Sequence, residues 1–242
     1  GLSYFVSKGS YSMGIMITAS HNPNTDNGIK MFASDGYKLS SEIEGKLSSL
    51  INSILSNHSF PLYEGIGNNF LVKSKNLSYG ESIKMNFNVG IIDDIKIVVD
   101  CSNGSFSGIA ENFLSNYQNI SFINNKPNGE NINLNCGALE HERLLGFIKD
   151  NDIDYGIAFD GDGDRVIFVH REYGLIEAEK LMVLFISVLK NHLKNYDNSI
   201  VSSVICNKAL ECNLKEQGYK LITTKVGDRN VVNSVKKYRN IE

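Results

Sequence analysis

Two stretches carry residue types at spacings that could do chemistry. The first is Ala19-Ser20-His21-Asn22-Pro23, which follows the apolar run from Gly14 to Thr18. That run reads as a buried strand, and the polar stretch can neither prolong a strand nor begin a helix. Pro23 restricts Asn22 to extended backbone, and Asn27-Gly28 turns the chain again before Ile29, Met31 and Phe32. Ser20 is therefore expected on a rigid loop at a strand end. With His21 beside it and Lys30 arriving from the next strand, its hydroxyl would have a proton-handling neighbour and a cation, as phosphoryl transfer requires. The alternative is a polar turn whose serine caps backbone groups.

The second stretch is Asp160-Gly161-Asp162-Gly163-Asp164-Arg165, directly after an apolar run ending at Phe159. Glycines between the aspartates let the backbone curl, so the carboxylates can converge instead of alternating across a strand. Converging carboxylates repel unless a cation sits among them, and an all-oxygen set favours a hard divalent ion, one Mg²⁺ per chain. A calcium EF-hand loop would need Gly at its sixth position and Glu at its twelfth, where this chain has Arg165 and Arg171. The remaining alternative is a solvated acidic turn.

The elements that must position these residues read as α/β. Ser41 and Glu44 have capping-box spacing before Ile43, Leu47, Leu50, Ile51, Ile54 and Leu55, the apolar stripe of an amphipathic helix. From Asn57 to Asn76 the chain reads as loop, with a strand at Phe70 to Val72. Strands then alternate with helices: Lys96 to Cys101, helix Phe106 to Tyr117, Ile120 to Ile123, helix Leu139 to Asp150, and Gly156 to Phe159. Two loops of this array stand out, the turn Asp100 to Gly104 and the turn-rich, aperiodic Lys126 to Asn133, although most such loops are only connectors. Strand Arg165 to His170 and a turn at Glu172 to Gly174 lead into helix Ala178 to Lys194, with Leu181, Met182, Phe185, Val188, Leu189 and Leu193 as its apolar face. Strand Ile200 to Cys206, helix Ala209 to Gln217, strand Leu221 to Thr224 and a helix from about Asn230 complete the pattern. The alternation implies sheets covered on both faces by helices, in domains spanning 1–82, 83–176 and 177–242.

The 242 residues are 42% hydrophobic, with net charge −3. Acids and bases are interspersed, with no basic stripe for nucleic acid and no polybasic run for a membrane surface. No apolar run approaches the roughly 20 residues of a membrane span. The four cysteines, Cys101, Cys136, Cys206 and Cys212, have no zinc-ligand or Cys-x-x-Cys spacing. Reduced thiols and a cytoplasmic protein are expected.

The serine and aspartate stretches, in this order, resemble the phosphoserine loop and metal loop of the alpha-D-phosphohexomutases. The resemblance implies a multidomain fold of α/β/α domains, each a sheet sandwiched between helices. It also implies transfer of a phosphoryl group between hexose positions through a phosphoserine and a bisphosphate intermediate. In it Ser20 carries the phosphoryl group, with His21, Asn22 and Lys30 as neighbours. Mg²⁺ sits on Asp160, Asp162, Asp164 and, through its phosphate, Ser20, while Lys30 and Arg165 stabilise the transferring oxygens and His21 orients or exchanges protons. The metal, Lys30 and Arg165 would leave the phosphoserine and carboxylates at about −1.

Pro127 to Asn133 and Lys225-Val226-Gly227-Asp228-Arg229 are more similar to the phosphoglucosamine mutase subgroup than to the phosphomannomutases and phosphoglucomutases. That implies glucosamine 6-phosphate and glucosamine 1-phosphate as the phosphosugar partners, for UDP-N-acetylglucosamine and cell-wall precursor synthesis. Lys225 and Arg229 would contact substrate phosphate or sugar, against an ordinary reading as surface charges. Oligomeric state is left open, homo-oligomers included. The chain begins at Gly1, and the family's early arginine segment, later sugar-binding loop and fourth domain have no counterpart in it. Glu177-Ala178-Glu179-Lys180 also replaces the family's usual Gly-Asp. These departures imply an excerpt of a longer protein, one not expected to complete turnover alone. Two rivals remain: a phosphoaspartyl phosphatase or mutase with Asp160 as nucleophile and Asp162 as acid, and a non-catalytic phosphosugar-binding remnant.

Overall fold

The structure, a computed structural model, describes residues 1–58, 79–83, 94–114, 116–189 and 198–239. The strand expected at Phe70 to Val72 and the end of the helix expected beyond Leu189 lie outside the described residues. The chain divides into two compact units, Gly1–Val166 and Ile167–Glu242.

The first unit opens with helix α1 (Leu2–Lys8), an element too short to leave a periodic signal. Strands β1 (Met13–Ile17) and β2 (Ile29–Ala33) pair antiparallel with Ile15 opposite Met31. Gly14 lets α1 approach β1, since a Cβ there would lie 2.6 Å from Val6 Cγ2. Helix α2 (Ser41–Asn57) is capped one residue earlier than its sequence suggests: Ser40, in extended backbone, accepts from Ile43 N at 3.3 Å. The residue three beyond the cap is thus Ile43, so no reciprocal capping box forms. Glu42 and Glu44 still face the positive end of the helix dipole. The expected apolar stripe is present, but no residue of α2 is buried, and Ile43, Leu50, Ile51 and Leu55 are exposed.

The centre of the first unit is strand β3 (Ile97–Asp100), buried at every position and flanked in parallel by β4 (Ile120–Ile123) and β5 (Tyr155–Phe159). A strand covered on both faces reads as a continuous apolar run, as Ile97-Val98-Val99 does. On one face Ile97, Val99 and Cys101 pack with Ala110 of helix α3 (Ser107–Leu114) and with Phe106 and Phe159. On the other, helix α4 (His141–Asp150) lays buried Leu144 over Gly156, where a Cβ would meet Leu144 Cγ at 2.7 Å. Because the three strands are parallel, Asp100, Ile123 and Phe159 end at one edge, and the loops that follow them gather there. In open parallel sheets that edge is where ligands bind.

Strand β6 (Val166–His170), which starts at the last residue of the first unit, and β7 (Gly174–Ile176) of the second form an antiparallel hairpin. Helix α5 (Ala178–Leu189) follows, then β8 (Ser199–Ser203), α6 (Lys208–Glu216), β9 (Lys220–Thr224) and α7 (Asp228–Arg239), with β8 and β9 parallel. Asn207 caps α6 by accepting from Leu210 N at 3.0 Å. The core joins Ile186, Leu210, Leu214 and Tyr219 to Met182 and Val183. The buried face of α5 is therefore rotated from the expected one: Ile186 is buried while Phe185 and Val188 are exposed. In a helix this apolar, periodicity leaves the inward face undecided, and α6 selects it by packing. None of the described helices is long and apolar enough to cross a membrane, and all four cysteines are free.

Candidate active site and metal centre

Ser20 sits three residues past the end of β1 with φ 57°, a left-handed conformation uncommon outside glycine and asparagine. Local bonds define the turn: Thr18 N donates to Gly28 O at 2.9 Å, Ser20 N to Thr18 Oγ1 at 2.9 Å, and Asn22 N to Ala19 O at 3.1 Å. Gly28 is required by this geometry, because a Cβ there would lie 2.7 Å from Thr18 O. The loop walls an open cavity of ≈ 600 Å³ lined by Thr18, Ser20, Asn22, Asn27 and Lys30 among others.

Across 140 positions of sequence, Ser20 Oγ donates to Asp160 Oδ2 at 2.9 Å, with Asp162 Oδ1 at 3.4 Å. The aspartate loop curls as the Asp-Gly alternation suggests. Gly163 has φ 70° and donates its N–H to Asp160 O at 3.0 Å. One carboxylate oxygen from each of Asp160, Asp162 and Asp164 lies within 4.8 Å of the others. Asp160 is 1% exposed, and its second oxygen accepts from Arg165 N at 3.1 Å. The Arg165 guanidinium lies 3.9 Å from Asp160 and is half exposed. Lys30 Nζ bridges Asp162 Oδ2 at 2.6 Å and Asp164 Oδ2 at 3.1 Å, and Thr18 Oγ1 donates to Asp162 Oδ2 at 3.0 Å. His21 is partly exposed, but its Nδ1 is buried with no hydrogen-bond partner among the described residues.

The electrostatics divide the cluster. Burial pushes the Asp162 carboxyl up, but the bonds from Lys30 and Thr18 outweigh it and hold the group below the usual carboxylate range. Asp164 is raised by burial and by the charges of Asp162 and Asp160, against the pull of Lys30. Burial would lower Lys30, yet its bonds to the two aspartates prevail and raise it. An all-oxygen set around one fully buried carboxylate has the chemistry to hold a hard divalent cation, and a hydroxyl on the same carboxylates would share it.

The two turn-rich loops that stand out in the sequence belong to this edge of the sheet. Asp100, 3% exposed, accepts from Ser102 N at 2.9 Å and Gly137 N at 2.8 Å. Burial raises its carboxyl despite these bonds and that from Asn124. Ser102 Oγ donates to Phe159 O, immediately before the aspartate loop. Asn133 Nδ2 reaches Ser20 O and Asn22 O, each at 2.9 Å. Thr18 has no role in the sequence reading, and Asp100, Ser102 and Asn133 enter it only as members of their loops, without individual roles. The usable signal was topological: both loops follow parallel strands at the edge where the aspartate loop begins. Lys225 and Arg229 lie in the second unit, one exposed after β9 and the other, partly buried, in the first turn of α7.

Family models described as phosphoglucomutase/phosphomannomutase alpha/beta/alpha domains I, II and III match residues 1–58, 77–174 and 177–241. Curated relatives include the phosphoglucosamine mutases of Caldicellulosiruptor saccharolyticus, 39% identical over 96% of this chain and 52% of its own length, and of Clostridium kluyveri, 36% identical over 98% and 53%. The chain thus spans about half the length of these relatives. Among solved structures, a putative phosphomannomutase from Thermus thermophilus superposes with TM-score 0.78 at 20% identity, over 98% of this chain and 54% of that one. The N-acetylphosphoglucosamine mutase of Aspergillus fumigatus, solved with GlcNAc-6P and magnesium, gives TM-score 0.66 at 17% identity, over 98% and 60%. By its sequence matches along nearly its whole length, and with a fold shared by these structures, the chain belongs to the phosphoglucomutase/phosphomannomutase family, the alpha-D-phosphohexomutases.

Proposed function

We propose that this chain carries the phosphoryl-transfer half of a phosphoglucosamine mutase, interconverting glucosamine 6-phosphate and glucosamine 1-phosphate. The observation that carries the reading is the Ser20 Oγ to Asp160 Oδ2 bond of 2.9 Å, which places a hydroxyl on a three-carboxylate cluster. Ser20 is the phosphoryl carrier. When phosphorylated it donates to a sugar hydroxyl: the P–O bond to Ser20 Oγ breaks, one to the sugar oxygen forms, and the hydroxyl proton ends on Ser20, with His21 handling it. The reverse transfer from the other end of the bisphosphate restores the phosphoserine. Lys30 and Arg165 stabilise the charge of the transferring oxygens. Asn22, Lys225 and Arg229 contact the substrate.

Asp160, Asp162 and Asp164 would hold Mg²⁺, joined by the Ser20 phosphate. The ion would supply charge neutralisation for the transferring group. Support comes from the all-oxygen donor set and from the relative whose structure holds magnesium. Segments 1–82, 83–176 and 177–242 are the domain divisions under this reading, and free cysteines accord with a cytoplasmic enzyme.

Asp160 is a poor nucleophile by comparison, being 1% exposed with its two oxygens engaged by Ser20 and by Arg165 N. Incubating the full-length protein with a hexose bisphosphate and mapping the phosphoryl group by peptide mass spectrometry tests the assignment. Label on Ser20, stable to hydroxylamine, is expected. Hydroxylamine-labile label on Asp160 would overturn it.

A further inference from the structure

Besides the aspartates that meet its hydroxyls, the serine loop is held at its backbone carbonyls by one distant side chain. Asn133 donates both hydrogens of its amide, to Ser20 O at 2.9 Å and to Asn22 O at 2.9 Å. These carbonyls bracket His21, and among the described residues no backbone ladder serves this part of the loop. Asn133 is itself fixed. Its N–H donates to Ser102 O at 2.9 Å, and Ser102 is anchored through its own N–H to the buried Asp100 carboxylate. Its backbone stands at φ 56°, a region asparagine tolerates better than most side chains.

The loop preceding Asn133 is rigid for a polar segment. Asn128 Oδ1 accepts from Glu130 N at 2.9 Å and Asn131 N at 3.0 Å, and Asn131 Nδ2 donates to Lys126 O at 3.0 Å. Asn103 Oδ1 accepts from Lys126 N at 3.2 Å, tying the loop to the turn after β3. The same Ser102 holds the residue before Asp160 through Phe159 O. The serine loop and the aspartate loop therefore share one support, with Gly161 between them: a Cβ on Gly161 would lie 2.6 Å from Ser20 O and 2.8 Å from Asn133 Nδ2.

We propose that Asn133 is a positioning residue for phosphoryl transfer, an amide clamp that holds Ser20 in its left-handed conformation with Oγ over the aspartate cluster. It touches neither the reacting oxygen nor the carboxylates. Its loss therefore slows transfer chiefly, with a smaller effect on bisphosphate binding through Asn22, whose carbonyl it also holds. This inference rests on the reading of Ser20 as phosphoryl carrier.

The test uses the full-length protein and two variants. Asn133→Asp keeps shape and tolerance of positive φ but only accepts, so both donations vanish. Asn133→Gly is relaxed at this φ, lacks the side chain, and serves if the aspartate prevents folding. Single-turnover labelling of Ser20 by a hexose bisphosphate is measured beside amide exchange of residues 20–22. A misplaced nucleophile predicts labelling slowed roughly 100-fold at saturation, a half-saturation concentration that changes far less than the rate, and faster exchange confined to the serine loop while β3 to β5 stay protected. A folded variant labelled within about threefold of the wild-type rate, or one with raised half-saturation as its only defect, overturns the clamp. If the wild type takes no label, the proposed function fails instead. Exchange then decides the clamp, with unchanged protection of residues 20–22 overturning it and selective loss of protection supporting it.

Discussion

Lys30 Nζ lies 2.6 Å from Asp162 Oδ2, the same oxygen that accepts from Thr18 Oγ1 at 3.0 Å. A second bond, to Asp164 Oδ2 at 3.1 Å, makes the ammonium a bridge across two of the three carboxylates. A protein cation thus neutralises part of the cluster that a divalent ion would use. The two must compete for Asp162, because a metal-bound carboxylate oxygen has less electron density to share with an ammonium and the two positive charges repel.

Lys30→Met should therefore bind Mg²⁺ more tightly while transferring phosphoryl groups more slowly. The gain should be roughly fivefold, the scale of one partly exposed ion pair. Asp162→Asn should move the other way, weakening Mg²⁺ binding roughly tenfold or more by removing charge and a ligand together. Calorimetric titration of both variants checks the pair. Equal Mg²⁺ affinity in Lys30→Met and wild type would show that the ammonium leaves the cluster without cost.

Gly161 is the point where three loops touch. A Cβ there would meet Ser20 O at 2.6 Å, Asn133 Nδ2 at 2.8 Å and Ile132 Cδ1 at 2.8 Å. The first is backbone and cannot swing aside. Gly161→Ala should destabilise the fold by about 1–3 kcal/mol, as overpacking does, and slow Ser20 labelling. A urea midpoint and labelling rate equal to wild type would mean that the loops separate freely.

Cys101 and Cys136 are buried, and burial, helped by the Asp100 charge, pushes each thiol up to about 12. At pH 8 both should resist alkylation in the folded protein while exposed Cys212 reacts. The raised values also fix the direction of a pH effect. Between about pH 9 and 12 the folded state keeps protons that the unfolded chain releases, so stability is full below this window and falls as pH rises through it. The slope is up to about 1.4 kcal/mol per pH unit for each thiol. Urea titrations at increasing alkaline pH, with Cys→Ala variants for comparison, measure it. A midpoint that does not fall with pH would show that the thiols ionise without opening the core.

The sequence by itself determined what is local. Asp160 to Arg165 can curl because glycines alternate with its aspartates, which frees the carboxylates from alternating across a strand. Ser20 turns out of β1 because neither Asn22-Pro23 nor Asn27-Gly28 can continue a strand. The continuous apolar run of β3 needs helices on both faces, and they are present as α3 and α4. Tertiary structure decided everything that depends on which groups meet. It chose Ser40 over Ser41 as the cap of α2, and it set the buried face of α5 by packing against α6. It also turned Asn133, one polar residue in an aperiodic loop, into the partner of Ser20. The physical reason is one of range. Turn chemistry and side-chain period act over a few residues, whereas the parallel strands β3, β4 and β5 bring the Asp160 and Asn133 loops to one edge, and Ser20, from the separate β1–β2 pair, meets Asp160 across 140 positions only through tertiary packing.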